Sequence, residues 1–499
     1  MRAALGSGTT SRAAAGRDAP RAHCRGGPRS AGVHRSVPRH GDAERSARRR
    51  GALGGQRAGP LHGIPVTLQE GFDFEGRPTT FGTGHAAHRA LHASALVRAL
   101  SDGRRSGSRS HQLGTAPAHV GERQPAVRTH AKGSAHATAR AGRAEAKRPL
   151  WRPGSRRSVS APTCSEPGVY WHFCGAAQLK PTRPACRRRR WSRNGTPRSE
   201  CRAPSRKVSD IGLALDALPA RRLSLLDPRM PPLDDLPARS LVGLSVGVFS
   251  EGPLLAPSSA LVGAIERAGD ALRRAGAKLT PYTPPGLDEL FFDCMSLLAA
   301  DGGAAWLEAL EGSPVAEALR PLTRLLKVPG ALRGGMERVT RLAGDADGAR
   351  FVSCFAEKSA REYQELVARL EARHVELCRA LEAAEIDALL CPPFATPAVP
   401  HGQSGEFWLA SGYSVPFSAM GWPFAVVPVT RVHGAEARRD RARGRLGRLA
   451  RRIDEESAGL PVGVELVAPP WRDRTLVAMA QAIEHNVSGD VDFPRTPLW

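Results

Sequence analysis

Residues 241–249 read L-V-G-L-S-V-G-V-F, and this stretch decides the fold. It is a short apolar run without polar alternation, the pattern of a strand buried on both faces. Just beyond it, Ser258 or Ser259 can cap a helix that carries Leu261, Ile265, Ala268 and Leu272 on one face. Gly276 then supplies the helix stop. The same alternation continues toward the C-terminus. A second helix is predicted over about 359–384, with the stripe Leu366, Leu370, Val375, Leu377 and Leu381. Residues 386–391, 424–429 and 462–467 read as short core strands, and 475–485 as a closing helix. Residues 435–457 read as a charged helix with a solvated face. Strands alternating with helices predict an α/β fold whose sheet is covered on both faces.

Upstream of residue 207 the pattern fails. Four segments are predicted: 1–58, basic and without period; 59–102, protein-like; 103–206, basic and unpatterned except at 172–182; and 207–499, globular. Residues 1–58 and 103–206 are expected to be irregular or disordered. Within 59–102, residues 64–68 carry a strand signal and 94–100 an amphipathic helix. The 499-residue chain has a net charge of +24, which by itself would suggest an anionic partner. The excess sits in the two unpatterned segments, with runs at 48–50 and 187–190. Nine cysteines without C-x-x-C pairs support neither a zinc site nor a disulfide framework, so a reduced, cytoplasmic setting is expected. No apolar run is long enough to cross a membrane, and the N-terminus has no signal-peptide core.

One further window carries chemistry. Residues 59–76 read G-P-L-H-G-I-P-V-T-L-Q-E-G-F-D-F-E-G. With 208–218 (V-S-D-I-G-L-A-L-D-A-L), 225–233 (L-L-D-P-R-M-P-P-L), 387–398 (D-A-L-L-C-P-P-F-A-T-P-A) and 459–471 (G-L-P-V-G-V-E-L-V-A-P-P-W), it resembles the amidase signature family. The branch it is most similar to is that of the fatty acid amide hydrolases. The resemblance covers about 59–102, 172–182 and 208–499. It implies a mixed β-sheet core with helices on both faces, incomplete here, and hydrolysis of carbon–nitrogen amide bonds without metal or cofactor. The implied partner is a small amide, with a fatty acyl amide as the narrower option. Nothing in the sequence sets an oligomeric state.

In that family a lysine serves as terminal base of a Ser–Ser–Lys triad. The matching residue here is Gln69, whose carboxamide has no comparable basicity. The family's serine strings, G-G-S-S-G-G-E and G-x-D-x-G-G-S, are missing as well. Ser165 is the nearest counterpart to the nucleophile, but it lies one residue too far from Cys174 and lacks the preceding glycines. An ordinary loop serine is the simpler reading of it. Cys174 and Cys391 are read as inert, and His62 and His172 as structural.

Permissible codons allow the missing strings in a different reading frame. Residues 140–149, R-A-G-R-A-E-A-K-R-P, permit the codons AGG GCG GGT CGA GCG GAG GCG AAG CGG CCG. From the third base these read G-G-S-S-G-G-E-A-A. Residues 158–164 permit G-L-G-S-D-M in the same frame, and 121–130 permit A-S-D-N-P-L-F-G-R-T from the second base. Residues 103–206, and with them 1–58, therefore read as largely off-frame translation of a GC-rich amidase gene, which also accounts for the arginines. The expected product is an amide hydrolase that is inactive as translated. The alternatives are a non-catalytic binding scaffold and, less favoured, a basic nucleic-acid-binding protein using the 187–190 arginines and Trp191; no specific nucleic-acid partner is expected.

Overall fold

A computed structural model describes residues 66–69, 75, 78–79, 88–89, 97–98, 113–116, 169–182, 203–205, 207–216, 237–252, 254–311, 315, 319–400, 403–440, 442 and 444–494. Four short strands come first: β1 (Val66–Gln69), β2 (Pro78–Thr79), β3 (His88–Arg89) and β4 (Leu113–Ala116). β1 pairs with β4 in parallel, and β2 with β3 antiparallel.

The main sheet has seven strands in the order β6-β5-β10-β11-β9-β7-β8. These are β5 (Ala177–Lys180), β6 (Ala203–Ser205), β7 (Ser245–Val248), β8 (Lys278–Pro281), β9 (Ala388–Cys391), β10 (Phe424–Arg431) and β11 (Pro461–Val467). β7 is parallel to both β8 and β9, and every other pairing is antiparallel. The sheet is therefore mixed. The expectation that 103–206 is irregular gives way at β4 and β6, two short strands that earn their place by pairing rather than by hydrophobic pattern.

The opening unit forms as the sequence predicts. Its strand is trimmed to Ser245–Val248, and its helix α3 spans Ser259–Arg274, with Leu261, Ile265, Ala268 and Leu272 all buried. (Helices α1, Val169–His172, and α2, Val208–Asp216, precede it.) Ser258 occupies the N-cap position, yet its hydroxyl makes no capping bond. Its N–H instead donates to Ala395 O at 3.0 Å, tying the helix start to the loop after β9. Gly276, with φ of +92°, ends the unit in a conformation that side chains other than glycine resist.

Between β8 and β9 lie six helices, five of which the sequence pattern left unmarked. They are α4 (Leu287–Leu298), α5 (Ala304–Leu310), α6 (Arg320–Lys327), α7 (Gly330–Leu342), α8 (Ala346–Ser353) and α9 (Ala360–Ala383). They enclose a second apolar cluster around Phe291, Phe292, Met295, Leu322, Leu326 and Phe355. α7 buries nothing: Leu332, Met336, Val339 and Leu342 are all exposed. α9 matches its predicted span and starts with a capping box between Ser359 and Glu362. Its stripe excludes one expected member: Leu366, Leu377 and Leu381 are buried while Val375 is 49% exposed.

The last elements are α10 (Val415–Met420), α11 (Gly444–Glu455) and α12 (Asp473–Val487). α11 corrects the 435–457 prediction. The helix begins at Gly444, and Ala450, Ile453 and Asp454 are buried instead of facing solvent. Gly269 of α3 abuts the Leu279 side chain, and Leu279 pairs with Val246, so α3 covers the Val246–Leu390–Leu466 face. α12 packs beside α3. The opposite face carries Gln178, Lys180, Phe424, Val426, Glu465 and Cys391. Ser414, the N-cap of α10, bonds Glu465 on that face, so helices lie on both faces, as predicted.

Candidate active site

Gln69, which the motif reading sets against the family lysine, ends β1 in register with Ala116 of β4. Ser165, His62 and the 187–190 arginines lie outside the described residues. What the structure does place is the 172–182 island, whose sequence is H-F-C-G-A-A-Q-L-K-P-T. It begins as the end of α1 and turns at Gly175, whose φ is +62°. A Cβ there would meet the Pro494 Cβ at 2.8 Å, so only glycine fits. The chain then enters the sheet as β5, in which Ala177, Gln178, Leu179 and Lys180 are all buried.

Three polar anchors fix this island. Lys180 Nζ donates to the Trp422 carbonyl at 2.7 Å and lies 5.7 Å over the Phe424 ring. Thr182 donates its N–H and its hydroxyl to the two Asp473 oxygens, each at 2.7 Å. The Trp471 N–H in turn donates to Thr182 Oγ1 at 2.8 Å. The island is thereby locked to the start of α12, far downstream in the sequence.

His172 is fully buried, and neither ring nitrogen reaches a hydrogen-bond partner among the described residues. Burial pushes its pKa down to about 3, opposed by the nearby Thr396 main chain. The ring is therefore neutral, which suits a structural role and not a base working near neutrality. Because the folded value lies below the ordinary 6.5, the unfolded chain takes up the proton first as pH falls. The parent should lose stability between pH 6.5 and about 3, by up to about 1.4 kcal/mol per pH unit. His172→Phe should flatten that slope in urea titrations at stepped pH.

Cys391 is buried, and burial raises its thiol well above the usual range. That is the reverse of what a nucleophilic thiolate requires. Cys174 is half-buried. Among the described residues, none forms a catalytic arrangement with Cys391 or Cys174.

Sequence reading missed two buried polar hubs. Arg439 and Asp454 are both solvent-free and joined at 2.7 Å. Arg439 also donates to Ala395 O at 2.9 Å and to Ala256 O. Burial lifts the Asp454 carboxyl to about 7 against the pull of Arg439. The second hub joins Ser414 Oγ to Glu465 Oε2 at 2.7 Å. An acid within the apolar run V-G-V-E-L-V was a visible signal of it, whereas Arg439 was hidden among many arginines.

The described geometry agrees with known proteins. The family model described as Amidase matches residues 172–477. Fatty-acid amide hydrolase 1 of Sus scrofa is 28% identical over 62% of this chain and 56% of its own length. Fatty acid amide hydrolase 1 of Caenorhabditis elegans is 23% identical over 53% of this chain and 47% of its own. The chain thus spans about half the length of these relatives. Among solved structures, a fatty acid amide hydrolase superposes with a TM-score of 0.65 at 17% identity, over 91% of this chain and 78% of the other. A 6-aminohexanoate cyclic dimer hydrolase gives 0.58 at 17%, over 91% and 90%. These structural likenesses establish a shared fold. The family match starts inside the island at His172 and continues through every sheet strand from β7 to β11, more than half of the sequence, and on that ground the chain belongs to the Amidase family.

Proposed function

We propose that this chain is a fatty acid amide hydrolase-like scaffold for carbon–nitrogen amide hydrolysis that does not turn over as translated. The single observation that carries this reading is Gln69 at the end of β1, where the family motif calls for a lysine. Its amide cannot accept a proton from a serine, so the relay to a nucleophile has no starting base. The absent serine strings remove the rest of the triad, and Ser165 offers only a weak replacement. The substrate class is a small amide, with a fatty acyl amide supported by the similarity to the pig protein. The cell compartment proposed is the cytoplasm. Among the described residues no helix is long and apolar enough to cross a membrane.

Frameshifting is part of the same proposal, as is the division into 1–58, 59–102, 103–206 and 207–499. It is supported by the start of the family match at His172, inside the one patterned island of the third segment. Sequencing the encoding DNA decides it: an uninterrupted frame with codons incompatible with the reconstructed strings removes the idea. Activity has its own test. A fluorophosphonate probe labels only an activated serine, so the purified chain should stay unlabelled while an intact family member labels. Efficient labelling of this chain would overturn the proposed inactivity.

A further inference from the structure

The Ser414 hydroxyl oxygen lies 2.7 Å from Pro393 O and 2.7 Å from Glu465 Oε2, and all three atoms are buried. A hydroxyl has one proton, whereas a carbonyl and an ionised carboxylate can only accept. With Glu465 ionised, one of the two contacts would set lone pairs against lone pairs where no water can intervene. A single added proton satisfies both. We infer that Glu465 folds as the neutral acid, donating to Ser414 Oγ, which donates its own proton to the Pro393 carbonyl. The arrangement is a proton-dependent clasp joining β11, the loop after β9 and the entry to α10.

Glu465 is fully buried on the sheet face turned away from α3 and α12. Its partner across β9 is Cys391, whose thiol is itself held protonated. Beyond Val426 on the other side comes Gln178, and Lys180 stands on the same face with its ammonium donating to Trp422 O and Pro181 O. The neighbouring Tyr413 hydroxyl donates to Leu255 O, with Arg439 and Glu251 near enough to act on it. His374 on α9 accepts from Trp422 Nε1. His172 on α1, packed against β10 and β11, is neutral.

The fold then holds a proton that the unfolded chain releases above the ordinary glutamate range. The clasp stabilises at low pH and is lost as pH rises through the raised folded value. Glu465→Gln imitates the neutral acid, because its amide N–H can donate to Ser414. In the full chain at neutral pH, E465Q should melt within about 2 °C of the parent, whereas E465A should lose roughly 5–10 °C. E465Q should also lose the clasp's share of the fall in stability with rising pH; Asp454 titrates in both chains and cancels. The parent-minus-E465Q infrared difference should show a protonated-acid carbonyl band. Carboxylate bands in its place would overturn the inference, as would an E465Q chain that melts as low as E465A or fails to fold.

Discussion

Arg439→Ala should cost about 3–5 kcal/mol in urea unfolding, the range for breaking a buried ion pair by removing one partner. Both side chains of the pair have zero exposure, so Asp454 would be left as an uncompensated acid in the core. The same guanidinium also satisfies Ala395 O and Ala256 O. Ala395 O already receives the Ser258 N–H at the start of α3. Removing Arg439 therefore loosens the loops after β7 and β9 together with α11. For a domain stable by about 5–15 kcal/mol, such a loss is severe. Asp454→Asn should cost a similar amount by stranding the arginine. The double variant Arg439→Met, Asp454→Leu should recover most of the loss, since an apolar pair of similar bulk avoids the desolvation penalty. A double variant no better than either single one would show that the carbonyl contacts outweigh the ion pair.

Gln69→Lys alone should leave hydrolysis of an aryl or oleamide-type amide at background. A chain with Gln69→Lys and the proposed frame written into 103–206 should exceed it by at least ~10⁴-fold, since losing members of a hydrolase triad costs on the order of 10⁶-fold. The gap is that wide because triad members act as a unit: a base with no serine to deprotonate contributes almost nothing. Fluorophosphonate labelling should follow the same order. Measurable turnover by the single variant would mean that a serine elsewhere in the chain is already poised.

The sequence made the sheet legible where local pattern and packing agree. Leu261, Ile265, Ala268 and Leu272 face the core as their helical spacing requires, and Gly276 stops the helix with a positive φ. Val375 failed because, nine residues after Leu366, it points about half a turn away from the face that Leu366, Leu377 and Leu381 bury. The run F-F-D-C-M-S-L-L around Phe291 was silent for another reason: its partners come from elsewhere in the chain, Leu322 and Leu326 from α6 and Phe355 from the turn after α8. Arg439 was unreadable because burial of one arginine among many is a tertiary fact. The proposed inactivity rests on Gln69, whose departure from the lysine motif is read from a single stretch, 59–76. The hubs at Glu465 and Asp454 needed register and burial to appear.

β5 has a consequence for how this polypeptide can be cut. Sequence boundaries suggest that a protease would trim it to a fragment starting near residue 208. Yet β5 is hydrogen-bonded along β10, Phe173, Ala177 and Leu179 belong to the main core, and Thr182 is fastened to Asp473. A backbone nick between 183 and 202 would sever the covalent link without releasing the piece before it. The 169–182 peptide should remain as a non-covalent strand, copurifying with the larger fragment until denaturant separates them. Stripped of it, the larger fragment would expose the edge of β10, with Phe424 and Val426 uncovered, and should self-associate.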